Sequence, residues 1–104
     1  MELVVEIYQV TELFPKAEIY GLIAQMRRSA VSVPSNIAEG YTRKHSKEYA
    51  QFLQIARGSI AELETQLEIA RRLQLVHAEK LLRADQLLLE VAKMLNKLVS
   101  SLPR

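Results

Sequence analysis

The chain contains no cysteine and no tryptophan, and only three glycines and three prolines among its 104 residues. Without cysteine, neither disulfides nor thiolate metal sites can stabilise the fold, so stability must come from packed apolar side chains. The scarcity of glycine and proline, together with 49% hydrophobic and 25% charged residues, excludes a disordered or fibrous chain. The lack of cysteine also fits a reducing compartment, and we expect a cytoplasmic protein.

Long apolar runs are missing as well. Stretches such as residues 87–89 are short and flanked by polar residues, far below the ~20 residues that a membrane-spanning helix needs. The first fifteen residues carry Glu2, Glu6 and Glu12, whereas a secretory signal needs a basic start and an uninterrupted apolar stretch. We therefore expect neither a membrane protein nor an exported one.

Motifs of common active sites are absent from the sequence. Neither Gly-x-x-x-x-Gly-Lys nor Gly-x-Gly-x-x-Gly occurs, so no cradle for nucleotide phosphates is indicated. His45 and His77 fall at predicted helix starts, which is more typical of a loop or capping residue than of a general base. Glu64 and Glu68 stand one turn apart, but a di-iron site in a helical bundle needs two Glu-x-x-His elements, and neither histidine completes one. We predict no enzyme, no cofactor and no metal site, and expect the two glutamates to pair with the arginines that follow them.

The apolar residues of the sequence show helical periodicity. They fall into four runs with spacings that alternate between three and four, which is typical of a helix presenting one face to a core. A chain of this length has room for one core. The sequence therefore predicts an all-α, antiparallel up-and-down four-helix bundle, as a single domain over residues 1–104. The predicted helices span about residues 2–14, 17–42, 46–73 and 78–101.

Pro15 and Pro34 affect where the first two helices are predicted to end or bend. The apolar run of helix one must end at Pro15, and its members are Leu3, Ile7, Val10 and Phe14. The run of helix two begins at Ile19 and keeps its phase across Pro34, which favours one helix kinked at that proline. An internal proline costs roughly 3 kcal/mol, so the alternative is a break, with Ser32 capping a new helix and Pro34 in its first turn.

The third and fourth helices carry the longest apolar seams. The seam of helix three consists of Tyr49, Leu53, Ala56, Ile60, Leu63, Leu67 and Ala70. The seam of helix four consists of Leu81, Ala84, Leu88, Val91, Leu95, Leu98 and Leu102. Leu82, Leu87, Leu89 and Met94 widen the apolar surface of helix four beyond one seam, so we expect it to bury a second face, for instance against another subunit.

A polar stripe accompanies the apolar face of helix two. Its members recur at steps of four, three and four: Arg28, Ser32, Ser35 and Glu39, with Asn36 beside them. One interpretation is a recognition surface on which arginine meets phosphate. The other is a structural polar network between helices that includes Ser32, Ser35, Asn36 and Glu39. In it, Arg28 and Glu39 pair with groups on helix three such as Glu62 or Arg57.

Positive charge concentrates along helix two and the segment that follows it. The candidate nucleic-acid-binding residues are Arg27, Arg28, Arg43, Lys44 and Lys47. Tyr41 and Tyr49 are close to them in sequence and could stack on bases. Alternatively, the basic residues only keep the surface soluble and the tyrosines lie at the edge of the core. The net charge of +2 permits polyanion binding without demanding it.

Two blocks of sequence carry a family resemblance. The first is Tyr20–Leu22 followed by Gln25–Tyr41, which contains Arg-Arg-Ser-Ala-Val-Ser-Val-Pro-Ser-Asn-Ile-Ala-Glu-Gly-Tyr. The second runs from Glu48 through Gly58 and Ser59 to Ala70. With the pattern of helix four, they cover nearly the whole chain, which resembles the bacterial four-helix-bundle proteins encoded in 23S rRNA intervening sequences.

The resemblance implies a bundle that assembles as a cyclic homopentamer, in a family whose molecular function is mostly undefined. Relatives include the accessory variability determinant of diversity-generating retroelements, a basic pentamer that engages nucleic acid and a reverse transcriptase. By this likeness the positions of interest are Arg27, Arg28, Asn36, Glu39, Arg43 and Glu62. Family members usually have a further amino-terminal stretch with a tryptophan, which this chain lacks, so we expect helix one to leave part of the core uncovered.

Two hypotheses of function follow. The first is a homo-oligomeric accessory protein, pentameric by the family likeness, that binds RNA or DNA. The second is a scaffold that binds a protein partner, such as a reverse transcriptase, through the ring or through the extra apolar surface of helix four.

Overall fold

Four α-helices make up the computed structural model, which describes residues 1–103. Their bounds are Glu2–Thr11 for α1, Ala24–Tyr41 for α2, Ser46–Arg72 for α3 and Leu82–Ser101 for α4. No strand occurs within this range. The helices pack into an elongated body of 45 × 23 × 19 Å, and α2 and α3 share the most extensive contact. The predicted all-α four-helix bundle is confirmed.

Helix α1 is three residues shorter than predicted. It ends at Thr11, after which the amides of Leu13 and Phe14 donate to the carbonyls of Val10 and Thr11 at 3.0 and 3.1 Å. These bonds from residue i to i−3 tighten the chain into a turn, and Pro15 follows directly. Phe14 remains part of the core despite lying outside the helix.

The segment before α2 is not regular α-helix, so the predicted start at residue 17 is wrong. Lys16–Glu18 forms a 3₁₀ turn and Ile19–Ile23 a π-type turn. Within the latter, Gly21 has φ −106° and ψ −106°, outside the helical region. Ile19, expected in the seam, is half exposed as a consequence.

Helix α2 runs without interruption from Ala24 through Pro34 to Tyr41. The alternative of a break, with Ser32 as a new cap, is therefore wrong. A kink at Pro34 stays a prediction, because the non-helical dihedral angles found in this part of the chain belong to Gly21.

Helix α3 matches its prediction to within one residue and ends in a Schellman motif. The amide of Leu75 donates to the carbonyl of Ala70 at 3.1 Å, and Gln74 adopts the left-handed conformation with φ 54°. A 3₁₀ turn over Ala78–Leu81 then leads into α4, so the predicted fourth helix is regular α-helix only from Leu82.

The core lies along the inward faces of all four helices, with residues such as Ile7, Met26 and Leu63 almost fully buried. Beyond the reach of the short α1, seam residues such as Leu98 are only partly buried. On α4, Leu87 is buried in the chain's own core, while Leu82 and Leu89 are 59% and 58% exposed and Met94 is also exposed. Among residues 1–103, no helix has both the length and the apolar character needed to cross a membrane.

Candidate nucleic-acid interface

Helices α2 and α3 enclose a polar groove of about 520 Å³. Its lining consists of Gln25, Arg28, Ser29, Ser32, Ser59, Glu62 and Gln66. No aliphatic or aromatic side chain lines it, although both helices bury apolar seams immediately beneath. We refer to these seven residues as the α2–α3 groove.

A chain of hydrogen bonds crosses this groove. The Ser59 hydroxyl donates to Ser32 Oγ at 2.8 Å, and Asn36 Nδ2 donates to the same oxygen at 2.9 Å and to the Ser32 carbonyl at 2.8 Å. Sequence reasoning singled out Ser32 and Asn36 as network residues but not Ser59. The signal for Ser59 was its place between Ala56 and Ile60 on the inward side of α3, where a polar residue needs a partner.

Gln66 is the unusual member of the groove. The residue is only 8% exposed, and its side-chain oxygen Oε1 has no hydrogen-bond partner. Leaving a buried acceptor unpaired costs about 1–3 kcal/mol. A hydrogen-bond donor that reached Oε1 would remove this cost. The sequence does not distinguish Gln66, since a single glutamine on a long helix is typical of a solvated face.

Arg28 and Glu62 supply the groove's opposite charges. Both side chains are exposed, and neither forms an ion pair within 4.0 Å in the described part of the chain. The network interpretation paired the charges of α2 with groups on α3. Glu39 instead accepts a hydrogen bond from Arg43 at 2.6 Å, close to the end of its own helix.

Arg27 serves the contact between α1 and α2. Its Nε donates to Thr11 Oγ1 at 3.0 Å, its Nη2 pairs with Glu12 at 3.0 Å, and its guanidinium lies 4.6 Å from the centre of the Tyr8 ring. Through these three partners, Arg27 connects α2 to the end of α1. It can reach a phosphate only by giving some of them up.

The other basic candidates lie at the far end of α2 and the start of α3. Arg43 pairs with Glu39 and its guanidinium stacks 4.7 Å from the centre of the Phe52 ring. Lys44 and Lys47 are exposed and make no ion pair within residues 1–103. Ser35, expected in the polar network, is exposed and is not among the hydrogen-bonded side chains of that range.

The two tyrosines predicted to stack on bases contact each other here. The Tyr41 and Tyr49 rings meet edge to face, with centroids 6.3 Å apart and planes at 87°. Tyr49 is partly buried, whereas Tyr41 is 78% exposed. Most of the Tyr41 side chain is therefore accessible, three residues before Lys44 in the sequence.

Glu68 belongs to a separate cluster of ion pairs. It accepts hydrogen bonds from Arg72 Nε at 2.8 Å and Arg71 Nη1 at 2.5 Å, and these guanidinium bonds lower the pKa of the Glu68 carboxyl below its ordinary value. Arg71 also bonds both carboxylate oxygens of Asp85 on α4, at 2.9 and 2.7 Å. The expected pairing with the arginines that follow is thus present for Glu68, whereas Glu64 forms no ion pair within residues 1–103. Within residues 1–103, no three His, Asp or Glu side chains come together in a way that could hold a metal ion.

Comparison with known families gives one result. A family model described as 23S rRNA-intervening sequence protein matches residues 1–97. No curated protein matches the chain.

Proposed function

Because this chain belongs to the 23S rRNA-intervening sequence protein family, we propose that it is a non-enzymatic, cytoplasmic accessory protein that binds RNA or DNA as a homo-oligomer. The pentamer implied by the family resemblance is the assembly we propose. The description of the family names 23S rRNA, and structured RNA is therefore the first ligand to test.

The observation that carries this proposal is a set of cations without partners. Arg28, Lys44 and Lys47 are exposed and form no ion pair within the described residues. Helical residues 28 and 41 are ~20 Å apart along α2 at 1.5 Å per residue, so Arg28 and the two lysines can contact one nucleic-acid strand at points several nucleotides apart. Tyr41 adds an exposed ring on which a base can stack.

Assembly into an oligomer would strengthen the positive electrostatic field of this surface. A monomer with net charge +2 has a weak field, whereas a symmetric oligomer repeats the same cations at each subunit. Binding that depends on phosphate contacts releases counterions and must weaken steeply with added salt.

The test measures the affinity of the protein for structured RNA at 50 and 200 mM salt. The double variant Lys44→Gln/Lys47→Gln should bind more weakly, with a salt slope about 1.4 units shallower if both lysines contact phosphates in single-stranded parts of that RNA. The matched control is Lys16→Gln/Lys80→Gln, which removes the same charge from two exposed lysines far from Lys44 in the fold. Absence of binding at low salt, or equal losses in both double variants, would contradict the proposal.

A protein scaffold is the second candidate. It is favoured by the exposed leucines of α4, Leu82 and Leu89, which lie seven residues and so two turns apart on one side of the helix. A Leu82→Gln/Leu89→Gln variant should lose a protein partner in a pull-down while keeping its RNA affinity. Recovery of nucleic acid and no protein by the wild type would argue against the scaffold.

A further inference from the structure

The α2–α3 groove contains three groups whose hydrogen-bonding capacity is unused. Arg28 offers a fork of donors, Glu62 offers two acceptor oxygens, and the buried Oε1 of Gln66 needs a donor. The groove's volume of about 520 Å³ lies within the range of about 300–1,000 Å³ that small-molecule and cofactor sites occupy.

The two helices that carry these groups are hydrogen-bonded to each other at the groove. Asn36, Ser32 and Ser59 are joined by hydrogen bonds of 2.8 to 2.9 Å, and the bond from Ser59 to Ser32 links α3 to α2 across the groove. Gln66 sits on the buried side of α3 and is more than nine-tenths buried. A rotation of its amide would exchange the acceptor for a donor, and the buried atom would still need a partner.

The chemistry of these groups selects a ligand that donates on one edge and accepts on another. Guanine carries the acceptors O6 and N7, which a guanidinium can contact through two bonds, and the donors N1–H and N2–H₂, which suit a carboxylate. Adenine has no such pair of adjacent donors. The donor edge of guanine is occupied in a duplex, so the base must be unpaired, as bases read by RNA-binding proteins commonly are.

We propose that the α2–α3 groove binds an unpaired guanine base. Glu62 accepts from N1–H and N2–H₂, and Arg28 donates to O6 and N7. The remaining N2–H hydrogen bonds to the amide oxygen of Gln66 once that buried side chain turns toward the groove. This assignment rests on the proposed nucleic-acid binding, to which it adds selectivity for one base. In this arrangement Lys44 and Lys47 contact phosphates, and the α2–α3 groove binds the base.

The first experiment measures the affinity for single-stranded RNA oligonucleotides that differ at one central base: guanine, adenine or inosine. Guanine should bind about tenfold more tightly than adenine. Inosine, which lacks the N2 amino group, should lie between them. Glu62→Gln should abolish the preference for guanine while changing the affinity for the adenine oligonucleotide by less than about twofold. Glu64→Gln removes the same charge from an exposed position of α3 outside the groove and should keep the preference.

The second experiment observes the groove directly. Guanosine monophosphate should shift the side-chain amide NMR signal of Gln66, and adenosine monophosphate should not. A shift by the free nucleotide without base preference in RNA would support the guanine site with a nucleotide, rather than RNA, as its ligand.

Three outcomes overturn the inference. RNA binding without base preference, and no shift at Gln66, removes the guanine site and leaves the proposed function standing. No RNA binding and no shift removes both. A loss of assembled mass in Glu62→Gln but not in Glu64→Gln would show that the groove is a contact between copies of the chain.

Discussion

The Nε atom of Arg27 donates a 3.0 Å hydrogen bond to the hydroxyl oxygen of Thr11, a residue that is only 1% exposed. That hydroxyl donates in turn to the Ile7 carbonyl at 2.6 Å, so one buried oxygen connects the last turn of α1 with α2. With only ten residues, α1 offers little apolar surface of its own. Its attachment therefore depends on this bond more than that of a longer helix would.

Thr11→Val tests that dependence. Valine keeps the shape of threonine but removes the hydroxyl, which leaves Arg27 Nε without a buried acceptor, and we expect the free energy of unfolding to fall by about 1–2 kcal/mol. Urea unfolding with an unchanged m value is the measurement. The control is Thr65→Val, because the exposed Thr65 hydroxyl only donates to the Ala61 carbonyl of its own helix. Equal effects of the two substitutions would remove the special role of Thr11.

Gly40 of α2 lies close against α3. A Cβ at this position would lie 2.8 Å from both Phe52 Cβ and Tyr49 Cδ1. Gly40→Ala should therefore lower the free energy of unfolding by about 1–3 kcal/mol, as overpacking does. In contrast, a Cβ at Gly58 would meet nothing within 4 Å. Gly58→Ala should raise the free energy of unfolding by about 0.5–1 kcal/mol, because glycine is unfavourable in a helix interior. Thermal or urea unfolding decides both signs.

Gln74 adopts a conformation that suits glycine better. Its φ of 54° closes the Schellman motif of α3, and a side chain in the left-handed region costs about 1–2 kcal/mol. Gln74→Gly should stabilise the fold by up to about 1 kcal/mol, whereas Gln74→Ala keeps a Cβ and should bring no comparable gain. A gain in Gln74→Ala as large as in Gln74→Gly would show that the glutamine side chain, and not the backbone conformation, limits stability.

The Glu68 ion pairs give stability a defined dependence on pH. Since Arg72 and Arg71 lower the pKa of Glu68 in the folded state, its ionised form stabilises the fold at pH values above its ordinary pKa of 4.5. That contribution is lost as the pH falls through the lower, folded-state pKa. We expect the difference in unfolding free energy between wild type and Glu68→Gln to shrink between pH 5 and pH 2 in urea titrations. Glu64→Gln, at a position without an ion pair in the described range, should run parallel to the wild type, and a constant difference for Glu68→Gln would contradict the prediction.

Sequence reasoning predicted α3 almost to the residue because its apolar seam is long, unbroken and free of proline. It failed on the approach to α2, where Ile19 continues the apolar phase but the backbone takes 3₁₀ and π-type turns around Gly21. Periodicity records which side of a helix is apolar and does not register an irregular turn that keeps the same side. Periodicity likewise assigned Leu87 to a second face of α4, although Leu87 is buried in the core of its own chain.

The candidate site was predictable only in part. Spacing along one helix predicted that Arg28, Ser32 and Asn36 lie together. In the structure Arg28 and Ser32 line the α2–α3 groove, and Asn36 is hydrogen-bonded to Ser32. It could not tell Arg27 from Arg28, which are neighbours in sequence. One guanidinium is taken up by α1, and the other has no partner in the described chain.

By itself, the sequence determined the helical class, the number of helices and most inward-facing residues, because these follow from spacing and from the backbone preferences of each residue. Only the tertiary structure decided which polar groups found partners. A hydrogen bond needs two atoms within about 3 Å of each other, and the partners of Thr11 and Ser59 lie 16 and 27 residues away. The buried, unpaired oxygen of Gln66 is visible for the same reason only once α2 and α3 are packed together.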